Sequence, residues 1–127
     1  MHIAFMPQLA IPNGITDTSF YNRAFNAVEE LRYDNDDGSC HVVIFKLDSA
    51  VFMIHELTQW SGTMLPDPEK GGTVTIGLFV DDVQAVMDQA IASGAKLASP
   101  VQDFDYGYRQ GSIIDPFGHR WEIQKKI

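Results

Sequence analysis

Apolar and polar positions alternate along this chain with two periods, two residues for strands and three to four for helices. From His2 to Ile11, Phe5, Leu9 and Ile11 fall on one side with Pro7, and Ala4, Met6, Gln8 and Ala10 on the other. This predicts a strand, with the proline marking an edge or a distorted position. Asn13-Gly14 turns the chain. Between Ile15 and Ala27, Phe20, Tyr21, Ala24 and Phe25 recur at helical spacing behind Thr16 or Asp17 as candidate caps. Leu31-Arg32-Tyr33 predicts a short strand closed by the turn Asn35-Asp36-Asp37-Gly38. The β-branched and aromatic run from His41 to Leu47 predicts a buried strand, and Val51 to Glu56 a fourth.

Residues 58–72 break the periodicity: Pro66, Pro68, Gly71 and Gly72 stand among charged residues, as in a linker. The earlier order then returns. Val74, Ile76, Leu78 and Val80 alternate with Thr73, Thr75, Gly77 and Phe79. Asp82 caps a helix whose Val83, Val86, Met87, Ala90 and Ile91 form one apolar stripe, and Gly94 stops it. Short strands are expected over Lys96–Val101 and Gly111–Ile114. Asp115-Pro116-Phe117-Gly118 makes a tight turn into a last strand, in which Trp121 and Ile123 face a core and Glu122 faces the other way.

The chain therefore reads as strand–helix–strand–strand–strand written twice, with module one at 2–57, a linker at 58–72 and module two at 73–127. The class is α+β in a single domain. Each helix covers one face of its own sheet, leaving the opposite faces free to enclose a cleft of the kind that holds small molecules.

Composition narrows the partners. A net charge of -8 argues against nucleic acid and anionic lipid. It leaves room for a cationic ligand. No run of 18 apolar residues is present, and the N-terminus lacks the basic start and long apolar stretch of a signal peptide. Cys40 is the only cysteine, so the chain has no internal disulfide and no cysteine-based zinc cluster; the cytoplasm is the expected compartment.

A duplicated βαβββ unit ending in Asp115-Pro116-Phe117-Gly118-His119-Arg120-Trp121-Glu122 resembles the vicinal oxygen chelate superfamily, which includes glyoxalase I, extradiol dioxygenases and the bleomycin- and fosfomycin-resistance proteins. Phe20-Tyr21-Asn22-Arg23-Ala24-Phe25-Asn26-Ala27 is similar to the first-helix signature of that family. Val80-Asp81-Asp82-Val83 and Gly94-Ala95 look like the ends of its second helix, and Tyr106-Gly107-Tyr108-Arg109 resembles the PhnB-like branch. That branch sometimes carries a methyltransferase label, but this chain has no Gly-rich strand-to-helix turn to cradle a nucleotide-derived cofactor.

The resemblance implies tandem modules forming a half-open, cup-shaped mixed sheet, and a homodimer, with intrachain and exchanged pairing of modules both open. It also implies a divalent metal held by one residue from the first and last strand of each module. Carried over, those positions fall on Met6, Glu56, Thr75 and Glu122. Glutamates stand at two of them. Methionine and threonine replace the imidazole and amide ligands, so the set is incomplete unless Gln8, His41 or His55 reaches in. Glu122 is otherwise a polar cavity residue paired with Arg120, Arg109 or a buried hydroxyl, and it is the candidate catalytic residue. Met6, Gln8, Thr75, Phe79, Trp60, Tyr106 and Tyr108 are candidate cleft residues, as is Arg109 unless Asp103 or Asp105 holds it. His119 is expected to be structural. Two functions follow: a binding protein with a small-molecule ligand, or a metal-dependent lyase or isomerase acting on an oxygenated substrate.

Overall fold

The computed structural model describes residues 1–127. Its elements are β1 (Gln8–Ile11), α1 (Phe20–Phe25), β2 (Val28–Asp34), β3 (Cys40–Leu47), β4 (Ala50–Glu56), β5 (Thr75–Phe79), α2 (Val83–Ala92), β6 (Lys96–Phe104), β7 (Tyr108–Ile114) and β8 (Arg120–Lys126). They build two four-stranded mixed sheets of the same order, β1-β4-β3-β2 and β5-β8-β7-β6. In each, the first strand pairs parallel with the last and the remaining pairs are antiparallel. The α+β class and the duplicated strand order are thus realised strand for strand.

The elements differ from the pattern-based expectation mainly at their ends. Met6 and Pro7 precede β1, because a proline cannot donate to a ladder and only its carbonyl is used, by the Met53 amide at 2.8 Å. Helix α1 is six residues long and does not run from Ile15 to Ala27; Asn26 ends it in the left-handed conformation at φ 57°, and Asp17 accepts from Ser19 instead of capping a longer helix. By contrast α2 is capped as expected, the Asp82 carboxylate accepting from the Ala85 amide at 3.0 Å. Strands β6 and β7 extend further than predicted and meet in a hairpin around Asp105–Gly107.

One core serves both sheets. Leu9, Ile11, Val43, Phe45, Phe52 and Ile54 of the first sheet are buried in the same cluster as Ile113, Trp121 and Ile123 of the second, with Phe20, Tyr21, Ala24, Phe25, Val83, Met87 and Ala90 of the helices between them. Trp121 lies with its ring centroid 5.3 Å from Phe52, 4.9 Å from Phe25 and 5.8 Å from Tyr21. Burying these large rings together is the main apolar gain of the fold.

The turn before β8 locks this junction. Asp115, 3% exposed, accepts from the Tyr21 hydroxyl at 2.6 Å and the Trp121 indole at 3.0 Å through one oxygen. Its other oxygen accepts from the Phe117 and His119 amides at 2.9 and 3.0 Å. Gly118 supplies the turn's positive φ of 96°. His119 donates from Nε2 to the Ala10 carbonyl at 2.7 Å, so the histidine of the motif is structural and ties β8 to β1. Burial, and then the charge of Asp115, push the Tyr21 phenol well above its ordinary range, which keeps it a neutral donor.

Because side chains alternate, the residues that do not enter this core form an outer face on each sheet. Within one chain these outer faces lie on the sides of the two sheets opposite the shared core, and Gln8 and Ala10 of the first meet Arg120 of the second along a common groove.

Candidate functional site

Cross-strand register arranges the outer face of the second sheet in four rows. The first holds Lys96, Ile114, Arg120 and Thr75, and the second Ser99, Ser112, Glu122 and Gly77. The third holds Gln102, Gln110, Gln124 and Phe79, and the fourth Phe104, Tyr108 and Lys126. Successive rows are two residues apart, or roughly 7 Å. The face runs from cations, through hydroxyls and a carboxylate, to amides and then aromatic rings.

Glu122 stands where the alternation in β8 predicts, on this outer face and half-buried. Its partner is neither Arg120 nor Arg109. The Gln110 amide donates to Glu122 Oε1 at 3.1 Å and to Gln124 Oε1 at 2.8 Å, while Gln110 Oε1 accepts from the Tyr106 hydroxyl. Gly77 leaves room for this arrangement, since a Cβ there would come within 2.8 Å of Gln124 Nε2. Arg120 turns the other way, donating to Ser112 Oγ at 2.8 Å and approaching Ser99 Oγ at 3.5 Å. Its guanidinium thus lies over the second row on the β7–β6 side.

At the far end Phe79 and Tyr106 are 59% and 60% exposed. Ring centroids are 6.3 Å apart for Phe79–Tyr108, 5.8 Å for Tyr106–Tyr108 and 5.2 Å for Phe104–Tyr106, the last pair stacked. These rings form one strip across the hairpin and the end of β5. Trp60 is not part of it: it sits in the linker, 85% exposed, without an aromatic neighbour. Arg109 is not part of it either. It points to the opposite side from Tyr108 and is held by Asp103 at 2.6 and 3.1 Å, resolving the choice between Asp103 and Asp105.

The first sheet's outer face carries Gln8, Ala10, Val42, Ile44, Met53 and His55. The register of β2 and β3 skips His41, since Tyr33 pairs with Val42 and Asp34 with Cys40. This bulge brings the His41 ring to 4.7 Å from His55 and within 2.7 Å of Glu56. Glu56 is saturated: besides His41, it accepts from Asn13 and Asn35, each at 2.8 Å. The Asn35, His41 and Asn13 hydrogen bonds hold its pKa down at about 2. His55 donates from Nδ1 to the Glu56 carbonyl at 2.6 Å.

These placements decide whether the donors suit a metal. Glu56 and Glu122 belong to different sheets, and no three His, Cys, Asp or Glu side chains converge as a ligand set. Met6 and Thr75 offer a thioether and a hydroxyl, which are weak ligands for the metals that imidazole and carboxylate sites take. Glu56, with both oxygens engaged by neutral and imidazole donors, is a strand-end clamp. The donors of one chain do not fit a catalytic metal.

A groove of about 710 Å³ adjoins the cationic end of the second sheet, lined by Gln8, Ala10, His119, Arg120, the linker at Thr63 to Pro68, Gly71 and Gly72, and Thr73 and Val74 after it. Here Gln8 from one outer face and Arg120 from the other reach a common space. The pattern reading missed Gln110, Gln124, Ser112, Lys96 and Lys126. Their signal was present as same-parity positions in β6, β7 and β8, but it becomes a site only when the register sets them side by side.

The family model of the Glyoxalase/Bleomycin resistance protein/Dioxygenase superfamily matches residues 17–123, and the chain belongs to that superfamily. The uncharacterised protein Rv0887c of Mycobacterium tuberculosis is 32% identical over 127 residues, covering 98% of this chain and 75% of its own length. Among solved structures, a gene product of Arabidopsis thaliana superposes with a TM-score of 0.77 at 22% identity, covering 98% of this chain and 100% of that one. A point mutant of the fosfomycin resistance protein FosX from Listeria monocytogenes, solved with Mn(II) and 1S,2S-dihydroxypropylphosphonic acid, superposes at 0.71 with 16% identity, covering 99% and 90%. At such identities these structures establish the shared fold. The specific activity of the chain is unassigned.

Proposed function

We propose that this protein binds a small molecule on the outer face of its second sheet, with the outer face of the first sheet of a second copy closing over it. One observation carries the reading: a network of amides, hydroxyls and a carboxylate ends in aromatic rings that nothing in the chain covers, with Phe79 and Tyr106 more than half exposed. Contiguous apolar surface of this kind marks binding sites and interfaces. The first sheet's Ile44 and Met53 offer an apolar lid, and a homodimer with exchanged modules brings the two faces together. The cytosol is the expected compartment, consistent with a lone, buried, free Cys40 and no helix long and apolar enough to cross a membrane. Assignment to the PhnB-like branch rests on Tyr106 to Arg109 ahead of the Asp115–Gly118 turn.

Sedimentation tests the assembly. A dimer at micromolar concentration is expected, and a 14.2 kDa species alone would remove the composite site. The second reading, a metal-assisted lyase or isomerase, draws on the Mn(II) of FosX and on the open carboxylate of Glu122. Elemental analysis of purified protein beside Glu122→Gln separates the two: stoichiometric metal lost on substitution supports the enzyme.

A further inference from the structure

The second sheet's outer face has the opposite charge from the rest of the protein. Its strand positions carry Lys96, Arg120 and Lys126 against Glu122 alone, three positive charges and one negative, or +2. The whole chain is at -8. None of the three cations takes part in the ion pairs of the fold, which are Arg32 with Glu29 and Asp34, His41 with Glu56, and Arg109 with Asp103. With seventeen acidic residues available, leaving Arg120 against two serine hydroxyls presents its guanidinium to something outside the chain.

The position of that guanidinium is informative. It lies over Ser112 and Ser99 on the β7–β6 side, near the row that holds Lys96, and makes no ion pair with Glu122, the cross-strand neighbour of Ser112 on β8. An anionic group there meets a planar fork of donors, a second cation and two hydroxyls. Along the same hairpin, two rows or about 13 Å further on, lie the rings of Phe104, Tyr106 and Tyr108. The Gln110 and Gln124 amides bridge the interval, and Glu122 borders it on the other side, where it repels a misplaced anion.

We propose that the ligand of this face is an elongated aromatic organic acid, its anionic group on Arg120 and Lys96 and its ring system on the Tyr106–Tyr108 strip. This names the ligand class for the site argued above and rests on that reading. It also reverses what the net charge suggests, because the acidic residues that set the bulk value stand elsewhere.

A matched set of probes long enough to span the two rows tests it: 4-(4-biphenylyl)butanoate, its neutral carboxamide and 4-(4-biphenylyl)butylamine, titrated into the full-length protein and followed by amide chemical shifts and calorimetry. The acid is expected to shift resonances of Ser99, Ser112, Arg120 and Tyr108, to bind about tenfold tighter than the amide, and to weaken as salt rises. Arg120→Gln, at an exposed position, is expected to keep the fold and bring acid and amide to within about twofold, with Lys96→Gln giving a smaller loss in the same direction. Binding of the amide or amine at this face as tightly as the acid would overturn the charge assignment while leaving a ligand site there. Failure of all three probes to perturb the face would overturn the site itself, and the assignment with it.

Discussion

Asp115 and Glu122 belong to one motif and have opposite lives. Asp115 is buried at the junction of the modules, where each oxygen accepts two hydrogen bonds from Tyr21, Trp121, Phe117 and His119. Glu122 lies on the outer face with a single donor, Gln110. The residue that reads as ordinary turn chemistry holds the core together, and the residue that reads as chemistry is held loosely. The difference comes from parity in β8 and from what the rest of the chain places on each side of that strand. A buried carboxylate with four donors cannot be altered without orphaning them, whereas a surface one has water as a substitute.

Substitutions that break this contrast should rank accordingly. Asp115→Ala has the largest expected effect, of order ~3 kcal/mol or more, because it leaves a buried phenol, an indole N–H and two amides without an acceptor. Chemical denaturation measures it, and a loss under about 1 kcal/mol would mean that water or a rearranged turn replaces the carboxylate. Next comes Glu56→Gln, expected to cost about 1–2 kcal/mol through its Asn13, Asn35 and His41 bonds.

The same clamp has a pH signature. Its folded pKa of about 2 is below the ordinary 4.5, so its stabilisation is present at neutral pH and is lost as pH falls from about 4.5 toward 2. A pH series of melting curves should lose the Glu56 share of that limb in Glu56→Gln and keep it in Glu122→Gln, the remainder coming from Asp17, Glu29, Asp37, Asp67 and Asp103, whose carboxyls are also held below their ordinary range. If both variants lose it equally, the contrast between saturated and open carboxylates does not hold. Glu122→Gln itself is expected to change stability by no more than about 0.5 kcal/mol while altering ligand binding at the outer face. The smallest effect belongs to Arg109→Ala, since its Asp103 pair is exposed and screened by salt. Its denaturation midpoint and its ligand affinity should both match those of the parent protein, and a shift in affinity would put Arg109 back in the site.

Much of the architecture was legible along the chain. The period of two in β5 and β8, the helical stripe from Val83 to Ala90 with its Asp82 cap, and the repeated element order are local features, and each arises from side chains a few residues apart. Glu122's face followed from the same alternation. The tertiary structure decided the rest. Proline shortened β1, and α1 ended early at Asn26. The bulge at His41 turned that ring toward Glu56 and His55, which a strict alternation could not show.

By itself the sequence determined that two like modules exist and which residues share a side of each strand, because periodicity is enforced by backbone geometry over short distances. Only the tertiary structure determined that the helix-bearing sides share one core, that Tyr21 meets Asp115 across 94 residues, and that Arg120, Lys96 and Lys126 share an outer face with a single glutamate in an acidic protein. Such partnerships depend on register and on how two sheets settle against the same rings. Those are long-range packing choices, and local pattern does not encode them.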